Sequence, residues 1–291
     1  MNFEWIALTP DAVFIRASIL ILMAGVVLDS AELIGHRRLY ARGAIFGGGT
    51  KGSDVARTSV TPEVFAGYTR LFDRIAIFDR VVTHRVLLAL NGLQFVLAFG
   101  FIAFPAFTPY IVAVTICIRL ISMARHGAHG SEGADHMVLI LLVSTMVYYI
   151  APGALAKRSV LWFIAAQSLL AYFTAGIVKA RHSRWTKGSA MRQILSTDLF
   201  GNRPLADLFS RRTWLGPLLC WAVIVFECLL PLLVFTGPAG CIAFLCMGLV
   251  FHLTIAAIQG LNLFVFAFAA SYPALLVTSL DLNGLLVTIH R

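Results

Sequence analysis

The feature that most constrains this sequence is a series of eight apolar runs, most of them close to the length of a helix that crosses a bilayer. A hydrocarbon core about 30 Å thick requires about 20 residues of helix. Lipid offers the backbone no hydrogen-bond partners, so spanning runs of this kind must satisfy their polar groups internally, as helices do. The sequence predicts an all-α, polytopic membrane bundle of about eight transmembrane helices. The predicted spans are residues 12–34, 85–104, 110–123, 136–150, 160–179, 215–235, 239–258 and 261–280.

Composition excludes an ordinary soluble enzyme. Of the 291 residues, 59% are hydrophobic and only 13% are charged, whereas soluble domains carry roughly 25% charged residues. The spans leave no room for a separate soluble domain, so we expect one membrane domain over residues 1–291. The five cysteines lie in apolar segments and form no CxxC pair, so neither a disulfide framework nor a zinc site is indicated.

Two long polar sections, residues 35–84 and 180–214, interrupt the apolar pattern. Each mixes arginines with apolar residues, which is typical of interfacial amphipathic helices. The chain has a net charge of +9. Because its basic residues lie in loops between spans, we expect anionic lipid headgroups as their partners and do not expect nucleic acid. A glycine-rich tract in the first section, GGGTKGS, lacks the GxxxxGK[ST] spacing of a phosphate-binding loop.

The distribution of lysine and arginine predicts the orientation. Nineteen of these residues lie in the sections that follow spans one, three and five, and three lie on the opposite side. Basic loops stay in the cytoplasm. We therefore expect both termini outside, with the chain as a multi-pass protein of a bacterial-type inner (plasma) membrane.

Ionisable residues inside apolar spans are costly and are functional candidates. Five of them together favour at least one polar cavity within the bundle, which a quinol, a proton path or an ion could occupy: Arg119, His136, Lys179, Glu227 and His252. Each also has a structural interpretation. Glu227 could pair with an arginine or a histidine, His252 could bond a backbone carbonyl or Gln259, and Lys179 could extend to the headgroups.

Span five carries a small, polar face. At 100° per residue, Ser168, Tyr172, Ala175 and Lys179 lie on one side of the helix, which should turn toward the protein interior because lipid offers polar groups no partner. Histidines also cluster around the start of span four, at positions 126, 129 and 136. Their spacing fits no tight metal-ligand pair, so no metal is predicted. Asp135 is a candidate N-cap of that span.

The end of span five resembles a known family. Tyr172, Gly176, Lys179, Trp185 and Gly188 resemble the HTTM membrane domain, which occurs in vitamin K-dependent gamma-carboxylase. Two further segments are similar: Glu227 followed by Leu-Leu-Pro, and the stretch Phe251–Tyr272 with its histidine and phenylalanines. The resemblance extends from Arg16 to about Tyr272.

The resemblance implies a chemistry. In the carboxylase a lysine is the base that deprotonates reduced vitamin K, and an oxygenated form of that cofactor then removes a proton from a peptide glutamate. By the A-G-x-x-K run the lysine corresponds to Lys179, and by the segment Ala134-Asp135-His136 the supporting histidine corresponds to His136. We assign Tyr172, Glu227 and His252 to the binding of a reduced quinone.

Several features depart from the carboxylase. Trp185 lies one residue further from Lys179 than in the family pattern, and no counterpart of the large extracytoplasmic domain is expected. In size the chain is similar to bacterial members of the sporulation-delaying protein B type, which are associated with maturation of a small secreted peptide. Two hypotheses follow: a gamma-carboxylase-like or peptide-maturation enzyme, and a non-enzymatic membrane assembly or immunity partner of such a peptide. A transporter is disfavoured because no inverted repeat is visible.

Overall fold

The computed structural model describes residues 9–36, 82–126, 133–197 and 201–289. Within these ranges the chain is helical and forms no strand. Eight helical segments are long and apolar enough to cross a membrane, which confirms the predicted all-α, polytopic architecture. They are Pro10–Gly35, His84–Ala103, Pro105–Met123, Gly133–Ile150, Gly153–Arg181, Leu215–Thr236, Pro238–Gln259 and Asn262–Leu285.

We number the α-helices of the described ranges in chain order. They are α1 (Pro10–Gly35), α2 (His84–Ala103), α3 (Thr108–His126), α4 (Gly133–Ile150), α5 (Gly153–Arg181), α6 (Ser183–Thr186), α7 (Ala190–Leu195), α8 (Arg203–Arg211), α9 (Leu215–Leu229), α10 (Pro238–Gln259), α11 (Asn262–Ala269) and α12 (Tyr272–Ile289). Span six continues beyond α9 as a 3₁₀-helix, Leu230–Thr236. Pro231 explains the change, because proline lacks an amide hydrogen and crowds the preceding turn.

Spans five and eight differ from the sequence prediction. Helix α5 begins at Gly153, seven residues before the predicted start, and its 29 residues extend about 43 Å. Its first turns include Lys157 and Arg158, which are helical although they are too polar to count toward an apolar run. Span eight is broken at Ala270 and Ser271, between α11 and α12.

The start of span four also differs. Helix α4 begins at Gly133, so Asp135 lies inside its first turn and not at the N-cap position. The N-cap assignment is wrong because the carboxylate serves a different partner: it accepts a hydrogen bond from the guanidinium of Arg119.

The chain divides into two compact units, residues 22–150 and residues 1–21 with 151–291. In the first, Arg119 is 3% exposed and forms ion pairs with Asp29 and Asp135. The hydroxyl of Ser30 lies 3.2 Å from side-chain oxygens of both Asn91 and Gln94. These contacts give Arg119 and Ser30 partners inside the unit, which offsets the cost of burying their polar groups in an apolar medium.

The second unit contains the rest of the bundle. Helix α5 packs against α9 and α12, and α10 packs against α11, α12 and the 3₁₀-helix. Its core includes Leu161, Ile164, Phe244 and Leu275, none of which is more than 1% exposed. At the end of α5 remote from Lys179, the guanidinium of Arg158 bonds to Asp11 and Asp281 and so connects α5 with α1 and α12.

The polar section 180–214 forms the short helices α6, α7 and α8. We predicted that its apolar residues lie on the bilayer, but several form a small core in the protein. Leu195, Ala206 and Phe209 are buried, with Leu215 of α9 and Ile258 of α10 packed against them. The section therefore packs on the ends of two spans. All seven of its lysines and arginines remain exposed: Arg181, Arg184, Lys187, Arg192, Arg203, Arg211 and Arg212.

Some sequence predictions lie outside the described residues. They are the glycine-rich tract at 47–53, the interfacial amphipathic helix predicted within residues 35–84, and the histidine at position 129. The orientation of the chain across the membrane stays a prediction.

Candidate functional site

One face of α5 carries a line of buried polar and small residues. Ser168 and Tyr172 are 0% and 2% exposed, and Gly176 is buried on the same face. Leu170 and Phe173 point the other way and are about half exposed. The predicted inward orientation of the polar face is therefore confirmed. Spacings of three and four residues stack these side chains one helical turn apart.

At one end of this line, Lys179 forms an ion pair with Glu227. The ammonium nitrogen Nζ lies 2.7 Å from Oε1 and 2.6 Å from Oε2 of the carboxylate. The Glu227 side chain is 6% exposed and that of Lys179 is 21% exposed. Lys179 thus pairs inside the protein and does not extend to the headgroups. The pair is neutral overall, which lowers the cost of placing either charge in the membrane.

Trp185 gives the Lys179 ammonium a second contact. The Nζ atom lies 5.2 Å from the centroid of the indole ring, within the range of a cation–π interaction. Trp185 belongs to α6, so the turn after α5 brings the chain back over its own last lysine. The extra residue between Lys179 and Trp185, relative to the HTTM pattern, does not prevent this contact.

Gly176 brings α5 and α9 close enough for the ion pair to form. A β-carbon at this position would lie 2.6 Å from Cys228 Sγ and 3.0 Å from the Cys228 backbone nitrogen. Only glycine fits such an approach of two helices without displacement. Because Glu227 precedes Cys228, the contact at Gly176 sets the register that aligns Glu227 with Lys179.

Tyr172 bonds to His252 deeper along the same face. The hydroxyl lies 2.7 Å from Nε2 of the imidazole, and His252 is 3% exposed. The predicted inward orientation of His252 and Glu227 is therefore confirmed. The partner of His252 is a phenol, in place of the backbone carbonyl or Gln259 that we considered.

Aromatic rings surround this pair. The imidazole stacks on Phe268 at 4.3 Å between centroids, with an interplanar angle of 21°. Phe264 lies nearly parallel to Phe268, and Phe244 meets Tyr172 edge-on at 5.4 Å. Phe251 also contacts the imidazole. The result is an apolar, ring-lined environment with a few polar atoms.

Tyr272 is a member of this group that the sequence did not reveal. A β-carbon on Gly248 would lie 2.9 Å from both the Tyr172 and the Tyr272 hydroxyls, so glycine leaves the space in which the two phenols approach. Among the described residues, neither the Tyr272 hydroxyl nor His252 Nδ1 has a hydrogen-bond partner of acceptable geometry. The sequence feature that could have pointed to Tyr272 is the adjacent Pro273, because proline is common in the first turn of a helix.

Gly188 fixes the segment that follows the lysine. Its φ of +80° favours glycine, and a β-carbon there would lie 2.3 Å from the backbone nitrogen of Pro217. The Trp221 indole also donates to the Thr186 carbonyl at 3.3 Å. These contacts hold the turn after α5 against the start of α9. All five residues of the motif at the end of span five therefore have a structural role.

The structure places four of the five predicted site residues, Tyr172, Lys179, Glu227 and His252, in the unit formed by residues 1–21 and 151–291. His136 belongs to the other unit, where its side chain is exposed on α4. Its role in orienting Lys179 stays a prediction. Chemically, the four offer an amine–carboxylate pair and a phenol–imidazole pair beside stacked rings.

Comparison with known proteins supports part of the sequence-based resemblance. The family model described as HTTM domain matches residues 155–279, which is less than half of the chain and narrower than the extent that we expected. The match includes Tyr172, Lys179, Glu227 and His252. No curated protein and no solved structure matches the chain. The chain thus carries a segment similar to the HTTM domain within a helical membrane protein whose described residues include eight candidate spans.

Proposed function

We propose that this protein is an HTTM-type membrane enzyme in which Lys179, paired with Glu227, acts as a base on a reduced quinone such as vitamin K hydroquinone. The observation that carries the proposal is the pair itself. Nζ has both carboxylate oxygens within 2.7 Å, and the carboxylate is almost fully buried. The Glu227 carboxylate can therefore accept a proton from the Lys179 ammonium.

Glu227 makes proton transfer by Lys179 feasible. When Nζ passes one proton to the carboxylate, two charged groups become a neutral amine and a neutral acid. An apolar environment favours neutral forms. The amine can then take a proton from a hydroxyl bound in the site and return to the ammonium state. Trp185 supports that state through its ring face.

The residues deeper in the site fit a quinone ring. A reduced quinone would supply a ring hydroxyl with an exchangeable proton, and two electrons. Phe264, Phe268 and the His252 imidazole provide flat apolar surfaces on which a ring stacks. Tyr172 and His252 provide polar atoms within them, and two unpartnered polar atoms, His252 Nδ1 and the Tyr272 hydroxyl, are available to a ligand's oxygens.

The resemblance to the gamma-carboxylase membrane domain also supports this function, and a small secreted peptide is the substrate in this proposal. In this proposal His136 orients Lys179. The His136→Gln variant should reduce the rate of quinol oxidation without affecting insertion into the membrane.

The test compares two lysines of one helix. The purified protein in lipid nanodiscs is given a short-chain menaquinol and oxygen, and quinol oxidation is followed by ultraviolet absorbance. Lys179→Arg keeps the positive charge but cannot release a proton at ordinary pH, so we expect activity to fall by at least about 100-fold, the usual contribution of a general base. Lys157→Arg, at the other end of α5, should leave it unchanged. Normal activity in Lys179→Arg would contradict the proposal.

One observation favours the non-enzymatic alternative, an assembly or immunity partner of a small secreted peptide. Gly176, Trp185 and Gly188 all have packing roles, so the motif could serve the fold alone. An arginine at position 179 can keep an ion pair with Glu227. Under this alternative, a Lys179→Arg strain retains its peptide-linked phenotype, whereas the enzymatic proposal requires that the phenotype be lost.

A further inference from the structure

The break in span eight lies inside the ring-lined part of the site. Helix α11 ends at Ala269, and α12 begins at Tyr272. The Ser271 hydroxyl donates to the Phe268 carbonyl at 2.7 Å and lies 2.9 Å from the hydroxyl oxygen of Ser168, so the break faces the polar line of α5.

Ala270 keeps right-handed helical dihedrals and its amide still bonds to the Phe266 carbonyl, so the break is a short interruption of the helical hydrogen bonds. Such an interruption at membrane depth is tolerated where protein buries it or where it lines a polar cavity. Discontinuous helices of this kind form ligand sites in membrane proteins.

The start of α12 supplies positive potential at this point. The first amides of a helix have no partner within the helix, and the helix dipole adds partial positive charge there. Helix α12 is 18 residues long. Two of the first four amides are not available, because Pro273 has none and the Leu275 amide donates to the Ser271 carbonyl, and the carbonyl end of α11 lies next to this point. The start of α12 therefore contributes only a small attraction for an anion beside Tyr272, and donor side chains must supply the main attraction.

A buried side chain provides a second, independent indication. His252 is 3% exposed, and its Nδ1 has no partner among the described residues. Its ring stacks on Phe268, three residues before Ser271. A buried polar atom without a hydrogen-bond partner destabilises the protein, because it has lost its bonds to water. A ligand that bonds to Nδ1 would remove this destabilisation.

The Tyr172 contact determines what Nδ1 offers. When the Tyr172 hydroxyl donates to Nε2, the neutral imidazole carries its proton on Nδ1. Nδ1–H is then a donor, and the Tyr272 hydroxyl, which lies beside that of Tyr172 across Gly248, is another. Both complement an oxygen that carries negative charge.

We propose that the break in span eight, with Tyr272 and His252, binds an anionic oxygen of the ligand. The proposal rests on the proposed function for the aromatic nature of that ligand. Tyr172 and Lys179 are two turns apart on α5, about 10 Å, so this site receives the end of the ligand remote from Lys179. It stabilises the negative charge that the ring gains when Lys179 takes a proton.

The test measures binding and not turnover. Two probes are compared in nanodiscs by tryptophan-fluorescence quenching: 2-hydroxy-1,4-naphthoquinone, which is ionised in neutral water, and its neutral 2-methoxy analogue. The native protein should bind the ionised probe about tenfold more tightly. Tyr272→Phe should reduce this preference severalfold, with little effect on the neutral probe. Tyr149→Phe, on α4 of the other unit, is the matched control and should preserve the preference.

The outcomes separate the two proposals. Equal binding of both probes, or a preference that survives both Tyr272→Phe and His252→Phe, overturns the anion site and leaves the aromatic ligand in place. If neither probe binds to the native protein, the quinone-binding function fails and the anion site fails with it. Loss of the preference in Tyr149→Phe would also contradict the assignment.

Discussion

At the scale of single residues, the Lys179–Glu227 pair explains how two neighbouring apolar spans each retain an ionisable group. The buried carboxylate of Glu227 would be costly without a partner, and the Lys179 ammonium neutralises its charge. The sequence identified both residues as candidates. It did not pair them, because they lie 48 positions apart on different helices, and nothing in the local pattern fixes the register between those helices.

The pair gives a stability prediction. Glu227→Leu leaves an ammonium without its partner, which should lower the free energy of unfolding by about 3 kcal/mol. The double variant Lys179→Met, Glu227→Leu replaces both charges with apolar groups and should recover most of that loss. Thermal unfolding in nanodiscs measures both. Equal stability of the native protein and the single variant would show that the ion pair is incidental.

At the scale of elements, the close approach of α5 and α9 is the contact on which the site depends. Gly176 permits it, and the ion pair lies one turn away. We predict that Gly176→Ala lowers the free energy of unfolding by about 1–3 kcal/mol, because the new methyl group overpacks the contact with Cys228.

Two variants of the same region serve as controls. Adding Cys228→Ala to Gly176→Ala removes the Sγ atom from the clash and should restore part of the stability, since the Cys228 backbone nitrogen remains close. Ala166→Leu, on the exposed face of α5, should have little effect. If Ala166→Leu and Gly176→Ala are equally destabilising, the helix contact is not the cause.

The ends and breaks of elements were the least predictable features. Hydrophobicity located all eight spans, because each run must match the thickness of the bilayer. It missed the break at Ala270 and Ser271, since both are compatible with an apolar run, and it missed the early start of α5, where Lys157 and Arg158 are polar. The partners of His252 and Lys179 depend on contacts between helices, which no single-helix pattern encodes.

At the scale of the whole molecule, the charge distribution predicts orientation. Because the sections that follow spans one, three and five hold nineteen basic residues, against three on the opposite side, we predict that these sections lie in the cytoplasm. A periplasm-dependent phosphatase fused after residue 291 should be active, and the same reporter inserted after Arg212 should be inactive. The reverse pattern would contradict the predicted orientation and place Lys179 at the outer face.

The central claim is that the ring-lined site beside Lys179 binds a quinone. The most direct measurement is a cryo-electron microscopy density map of the protein in lipid nanodiscs with added menaquinone. We predict density for a flat ring near Phe268, with one oxygen within hydrogen-bond distance of His252 Nδ1 or the Tyr272 hydroxyl and the other end directed toward Lys179. A map of equal quality that shows the quinone only on lipid-facing surfaces, with this site filled by side chains alone, would contradict the account.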